Sequence, residues 1–347
     1  ILTMMHGGRV HETARENGFN IKSIIDFSSS MNDFIKLPEI TMGRECIENY
    51  PDTDYEYYKN YISGGEFKKD NILIVPGLTY FIHRIMLLSS GNIIIITPTF
   101  NEYLYARSNS KKVEIPLYVI QKNPYILKNY NFNSIFIVYP SSPTGELMEA
   151  NVMNAILNIS LLKNARVFLD ESFIYFSEKR PLNEISLINK YGNLFVCRSL
   201  TKAFSIPGLR IAYVASAPEN IIMMEHDFDP WRMSSASLKY ISKINYNNLA
   251  GLPEMVTLER NYIIKRMLGL GFTPVGKPVA NYITFKAPEH INTLDLDKFL
   301  KSNGILIRIL DDYKEFGTNY IRISVKRRNK NVRLISKIKE YMGDLYK

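Results

Sequence analysis

The stretch that most constrains this chain is Arg198-Ser-Leu-Thr-Lys-Ala-Phe-Ser-Ile-Pro-Gly-Leu-Arg210. It follows Asn193-Leu-Phe-Val-Cys197, a short apolar run that reads as a buried strand. A lysine directly beyond such a strand stands at the strand's carboxyl end, where open α/β sheets bind ligands. Ser199 and Thr201 flank Lys202 with hydroxyls, and Arg210 lies eight residues on. A primary amine can form an imine with an aldehyde, while hydroxyl donors and a fixed guanidinium can hold a phosphate. The competing reading is a solvated Lys/Arg loop.

The pattern S-x-T-K-x-F-x-x-P-G-L-R-x-x-Y, from Ser199 to Tyr213, resembles the cofactor-lysine motif of fold-type I pyridoxal-phosphate enzymes. It is most similar to the branch holding histidinol-phosphate aminotransferases and threonine-phosphate decarboxylases. The resemblance implies pyridoxal 5′-phosphate as cofactor and Lys202 as the lysine that binds it. It also implies Ser199, Thr201 and Arg210 around the cofactor phosphate. The implied fold is α/β, with a large, mostly parallel sheet and a smaller α+β unit. Expected boundaries are an N-terminal arm, 1–35, joining the small domain, a large domain at 36–245, and the small domain at 246–347.

Composition agrees with a folded enzyme. The chain has 347 residues, 46% of them hydrophobic, enough to bury a sizeable core. No apolar run approaches the length of a membrane span, and the opening residues show no charged region followed by an apolar one. Cys46 and Cys197 are the sole cysteines, too few for a disulfide framework or a metal-ligand spacing. The expected compartment is the cytoplasm, with no membrane partner and no metal. The net charge of +9 raises the question of nucleic acid. It suits anionic substrates and a phosphorylated cofactor equally well. The densest basic run, Lys326 to Arg333, carries no aromatics and reads as a solvated helix start, so no nucleic-acid partner is expected.

Along the chain, further motifs carry the resemblance. His6-Gly7-Gly8 and Asp26-Phe-Ser-Ser-Ser-Met-Asn32 resemble the opening of threonine-phosphate decarboxylases, which implies His6, Gly7, Gly8, Ser30 and Asn32 near the substrate. Ser30 stands where the family pattern has Asn, and Asp33 where it has Pro. Asn49-Tyr-Pro-Asp52 implies that Tyr50 reaches a neighbouring subunit's cofactor phosphate, hence a homodimer with shared sites; packing within a local turn competes. Gly77, Leu78 and Thr79 follow a strand and open a helix, whose backbone N–H groups make a phosphate cradle. In Pro98-Thr-Phe-Asn-Glu-Tyr103 the resemblance assigns ring stacking to Tyr103, with core packing as the alternative. Ser142, within Pro140-Ser-Ser-Pro-Thr-Gly145, stands where the family has an Asn that donates to the ring hydroxyl. Asp170 ends a strand and is expected to keep the ring nitrogen protonated. Phe173 stands where aminotransferases carry Tyr and matches the decarboxylase pattern better.

Near the end, Arg308 and Arg322 each interrupt an apolar strand run and need an anionic partner if buried. The resemblance makes Arg322 the carboxylate-binding arginine and Arg308 a phosphate-binding one. The expected activity is decarboxylation of L-threonine O-3-phosphate, a small phosphorylated amino acid, to an aminopropanol phosphate for a cobalamin side arm. Histidinol-phosphate transamination, or another aminotransferase reaction, is the alternative.

Overall fold

The computed structural model describes residues 7–344. Among the described residues thirteen strands run in chain order: β1 (Ile25–Asp26), β2 (Ile72–Val75), β3 (Ile93–Thr97), β4 (Lys112–Pro116), β5 (Ser134–Val138), β6 (Arg166–Asp170), β7 (Leu194–Ser199), β8 (Ala212–Ala215), β9 (Thr273–Pro274), β10 (Tyr282–Lys286), β11 (Ile305–Leu306), β12 (Arg308–Ile309) and β13 (Tyr320–Ser324). Seven form one sheet in the order β2-β8-β7-β6-β5-β3-β4. The ladders β7–β6, β6–β5, β5–β3 and β3–β4 are parallel, and β8 runs antiparallel to both its neighbours.

The sequence explains this sheet. β3 is Ile-Ile-Ile-Ile-Thr, and all five residues are buried. A continuous β-branched run suits a strand covered on both faces, as parallel sheets require. Successive side chains leave on opposite faces. Accordingly Ile94 and Ile96 join one apolar cluster, and Ile93 and Ile95 the other. Each such side chain contributes about 1.5–3 kcal/mol by burial. On one face Phe136 stacks on Phe168, and Phe168 on Phe195, at ring separations of 4.6 and 4.9 Å. That aromatic row fixes β5, β6 and β7 side by side. Their carboxyl ends then meet, because Val138 is opposite Asp170 and Asp170 opposite Cys197.

A second sheet, β12-β13-β10-β9, is antiparallel. The N-terminal arm enters through β1, which pairs in parallel with β11. Phe27 then donates its N–H to Leu306 and accepts from Ser324, so the arm is stitched onto these strands. Residues 28–32 thereby pass directly over the carboxyl ends of the large sheet. No helix among the described residues is long and apolar enough to cross a membrane.

The basic run from Lys326 to Arg333 is engaged within the fold. Arg327 donates to the carbonyls of Asp33 and Phe34, Arg328 pairs with Glu259 at 3.0 Å, and Lys330 pairs with Asp33 at 2.5 Å. These contacts tie the final helix, Arg328–Asp344, to the arm and to the helix Leu252–Leu268.

Candidate active site

β7 ends at Ser199, and the chain turns at once into the short helix Leu200–Ala203. That turn places Lys202 at the wall of a cavity of about 140 Å³ lined also by Asp170, Phe173, Ser142, Ser199, Thr201 and Arg210. The Lys202 Nζ donates to the Ser29 carbonyl at 2.9 Å. The arm returns the contact, since Asn32 donates its N–H to the Lys202 carbonyl and its Nδ2 to that of Ala203. Asn32 thus clamps the lysine's backbone and does not face the cavity. Burial lowers the Lys202 amine to a pKa of about 7, and the positive charges of Arg322 and Arg210 lower it while Asp26 opposes them. A large neutral fraction near pH 7 is what an imine-forming amine requires.

Asp170 closes β6 and also lines the cavity. Its Oδ1 accepts from the N–H and the hydroxyl of Ser172, and its Oδ2 accepts from the Tyr103 hydroxyl at 2.8 Å. Burial pushes the Asp170 carboxyl up, and these hydrogen bonds pull it back.

Gly77 precedes the helix Leu78–Leu88 with φ of +83°. A Cβ there would lie 2.7 Å from the Arg210 Nη2, a contact the guanidinium end can relieve by shifting, so it is the backbone conformation that requires glycine. Leu78, Thr79, Ser199, Thr201 and Arg210 line the same cavity, and the buried Thr201 Oγ1 has no hydrogen-bond partner among the described residues. An anion-binding helix start, an arginine, hydroxyls and an orphaned donor fit a phosphate ester; the lysine and carboxylate fit an aldehyde-bearing pyridine.

Tyr103, expected to stack on the ring, sits differently. It is buried in the turn Glu102–Tyr105, its ring 5.5 Å from Phe136 and its hydroxyl on Asp170. Phe100, three residues earlier, is the aromatic that lines the cavity. Tyr50 is 82% exposed, lies 5.0 Å from the Trp231 ring and does not line its own chain's cavity.

A second cavity of about 220 Å³ adjoins the first, sharing Ser29, Thr79, Phe100, Lys202 and Arg322. Gly7, Ser28, Glu102, Arg308 and Tyr313 complete its lining, together with Asn101. A Cβ at Gly7 would fall 2.2 Å from the Ser28 carbonyl oxygen, so the arm's close turn needs glycine. Gly8 donates its N–H to the Ser28 Oγ at 2.8 Å. Ser30 is buried in the left-handed region, with its Oγ unpartnered among the described residues and its carbonyl held by Asn281. His6 lies outside the described residues. Arg322 donates to the Ser28 carbonyl, while its buried Nε lacks a partner among the described residues. Arg308 stands directly opposite Arg322 across the β12–β13 ladder, and its Nη2 meets both Asp312 oxygens, at 2.6 and 2.5 Å.

Residues 47–338 match the family model described as aminotransferase class I and II. The chain belongs to that family. Its cofactor is pyridoxal 5′-phosphate, and the chain has the fold-type I architecture of that family. The histidinol-phosphate aminotransferase of Methanosphaera stadtmanae is 27% identical over 97% of this chain and 96% of that protein. The threonine-phosphate decarboxylase of Salmonella typhimurium is 26% identical, again over 97% and 96%. Among solved structures, the histidinol-phosphate aminotransferase from Clostridium acetobutylicum superposes with a TM-score of 0.82 at 23% identity, covering 92% of this chain and 99% of that one. The enzyme of that name from Sinorhizobium meliloti, solved with pyridoxal-5′-phosphate, gives 0.77 at 16% identity, covering 99% and 96%. Both activities thus occur among relatives at nearly equal distance.

Sequence reasoning did not single out Phe100, the Ser28–Ser29 seat, Asp312 or a buried cluster behind the site. In that cluster Arg198, fully buried, meets Glu171 at 2.9 Å, Glu66 at 2.5 Å and Glu184 at 3.8 Å. Burial pushes the Glu171 carboxyl well above the usual range, Arg198 opposing and Glu184 adding to the rise. Since Glu171 follows Asp170 and Arg198 precedes Ser199, this ion cluster anchors the ends of β6 and β7, which meet at the cavity.

Proposed function

We propose that the protein decarboxylates L-threonine O-3-phosphate, leaving (R)-1-aminopropan-2-yl phosphate for a cobalamin side arm. The observation that carries this reading is the cross-strand pair Arg308 and Arg322 beside Lys202, in a cavity walled by the small arm residues Gly7, Ser28 and Ser29. Two guanidiniums within a short reach of the amine suit a compact substrate with two anionic groups.

When bound, the cofactor supplies an electron sink for a bond broken at the substrate Cα. Asp170, supported by Tyr103 and Ser172, would hold the proton on the ring nitrogen. Gly77, Leu78, Thr79, Ser199, Thr201 and Arg210 would hold the cofactor phosphate, with Ser142 near the ring. Arg322 would orient the carboxylate, which decides which Cα bond is placed to break. Arg308 would take the distal phosphate. The carboxylate would leave as CO2 with its bonding pair staying at Cα, and Lys202 in its protonated, ammonium form would give Cα the replacing proton. Phe173 lines the cavity without a hydroxyl, which a reaction lacking a keto-acid half tolerates.

The reading includes a homodimer in the cytoplasm, with Tyr50, exposed on its own subunit, completing the partner's phosphate site. Mixing inactive Lys202→Ala and Tyr50→Ala subunits would restore part of the activity if sites are shared.

One observation favours the aminotransferase reading: the Glu102 carboxylate, paired with His83 at 2.5 Å, lines the second cavity, where it could meet an imidazole. The deciding assay follows CO2 from threonine phosphate without added 2-oxoglutarate. Glutamate formed from 2-oxoglutarate and histidinol phosphate, with threonine phosphate inert, would establish the alternative.

A further inference from the structure

Arg308 is not a bare cation. Its Nη2 is engaged by both oxygens of Asp312 and its Nη1 donates to the Ile309 carbonyl at 2.6 Å. The pair is largely buried, with side-chain exposures of 9% and 20%, so solvent screens it poorly. Asp312 has a second holder: its Oδ2 accepts from the Asn101 Nδ2 at 2.8 Å. Asn101 lies just beyond β3, whereas Arg308 belongs to the antiparallel sheet. Asp312 therefore bridges the two sheets' contributions to the second cavity. Arg322, by contrast, has no carboxylate partner among the described residues. Within one cavity, one guanidinium is compensated and the other is not.

We propose that Asp312 is the specificity-determining residue of the distal cavity: it is the counter-ion that a substrate's second anion must displace from Arg308. This rests on the two-anion reading of the site. Both ends of the exchange are provided for. Arg308 keeps its bond to the Ile309 carbonyl when Asp312 leaves, and Asp312 keeps Asn101 when it gives up Arg308. A phosphate that reaches Arg308 meets a like charge alongside, so the carboxylate weakens binding of an anion at Arg308 more than of one held at Arg322, which Asp312 reaches only through space. Like-charge juxtaposition in a poorly solvated site is costly. Only substrates whose second anion binds strongly enough to compensate are then retained.

The test uses holoprotein, in which the cofactor's own phosphate is in place, with saturating acetate present to occupy Arg322, and titrates inorganic phosphate by calorimetry. Asp312→Asn keeps the size and an acceptor for Arg308 but removes the charge. It should bind phosphate roughly tenfold tighter than the parent or more, and should raise the preference for O-phosphothreonine over threonine to a similar degree. Adding Arg308→Gln should abolish the gain. Asp312→Ser serves as the second variant should the first fold poorly. Phosphate binding that is unchanged or weaker in a folded Asp312 variant would overturn the proposal. So would a gain that survives loss of Arg308. The outcome separates from the decarboxylase reading: an enzyme that fails to release CO2 from threonine phosphate, yet tightens on phosphate when Asp312 is neutralised, refutes only the substrate assignment.

Discussion

Lys202 offers the most direct test of how this fold alters an ordinary side chain. A free lysine amine ionises near 10.5, and in the folded chain burial, with Arg322 and Arg210 adding, brings it to about 7. At pH 7 about half of such amines are neutral, against roughly three in ten thousand for an unperturbed lysine, a gain of about a thousandfold in the nucleophilic form. Because the fold lowers this pKa, the neutral amine appears as pH rises through about 7 and then saturates. Capture of pyridoxal 5′-phosphate by apoprotein, followed by absorbance between pH 5.5 and 10, should therefore inflect near 7 and plateau above 8. Arg322→Leu removes a charge that lowers the amine's pKa, so its inflection should move to higher pH; Asp26→Asn removes a charge that raises it and should move the inflection the other way. A second readout follows from linkage. Between about pH 7 and 10.5 the unfolded chain binds a proton that the folded amine does not, so the apoprotein should gain stability as pH rises across that window. Lys202→Met should flatten this slope. A wild-type capture profile still rising at pH 9, or an inflection that Arg322→Leu leaves in place, would refute burial and neighbouring charge as the causes of the lowered pKa.

Tyr103→Phe removes the hydroxyl that donates to Asp170 at 2.8 Å; a bond to a charged group is worth about 1.5–3 kcal/mol. Its holoprotein should release cofactor measurably faster on dialysis, and equal retention would mean that Tyr103 only packs. Gly77→Ala forces a side chain into a positive φ and against the Arg210 Nη2, at a cost of about 1–3 kcal/mol. Equilibrium titration should show weaker cofactor binding with the far-ultraviolet spectrum unchanged. Arg198→Met strands Glu171 and Glu184 in the interior and should cost about 3–5 kcal/mol in denaturant unfolding. Pairing it with Glu171→Leu should recover part of that loss.

Much of the large sheet was legible because its inner strands are unbroken apolar runs bounded by turn residues, and burial on both faces demands such runs. The site at their carboxyl ends was legible for the same reason: Asp170 is the polar group on which β6 ends, and Lys202 stands in the short helix that follows β7 directly. The two-residue strands were not legible. Ile25–Asp26 carries no periodicity long enough to read, whereas Ile305 to Ile309 reads as one strand that the structure divides into Ile305–Leu306, paired with the arm, and Arg308–Ile309, paired with β13. The exchange of Phe100 for Tyr103 has a local cause. Both aromatics sit in one six-residue motif, and the helical turn that begins at Glu102 decides which ring turns inward and which faces the cavity.

The arginines show where sequence reasoning needs tertiary information. Arg308 and Arg322 each read as a cation inside an apolar strand, Arg198 occupies a like position near the end of β7 without having been singled out, and the fold resolves the three in different ways. Arg198 is surrounded by Glu171, Glu66 and Glu184, so its charge is fully used within the structure. Arg308 has one carboxylate, Asp312, supplied by the loop that follows its own strand. Arg322 is met by the Ser28 carbonyl and the face of Tyr282, and by no carboxylate among the described residues. Carbonyl dipoles and an aromatic face leave most of a positive charge to be satisfied by a ligand. The number of carboxylates around each guanidinium therefore grades the three from structural anchor to displaceable pair to open anion site. That number depends on residues as far away as Glu66 is from Arg198, which no local pattern records.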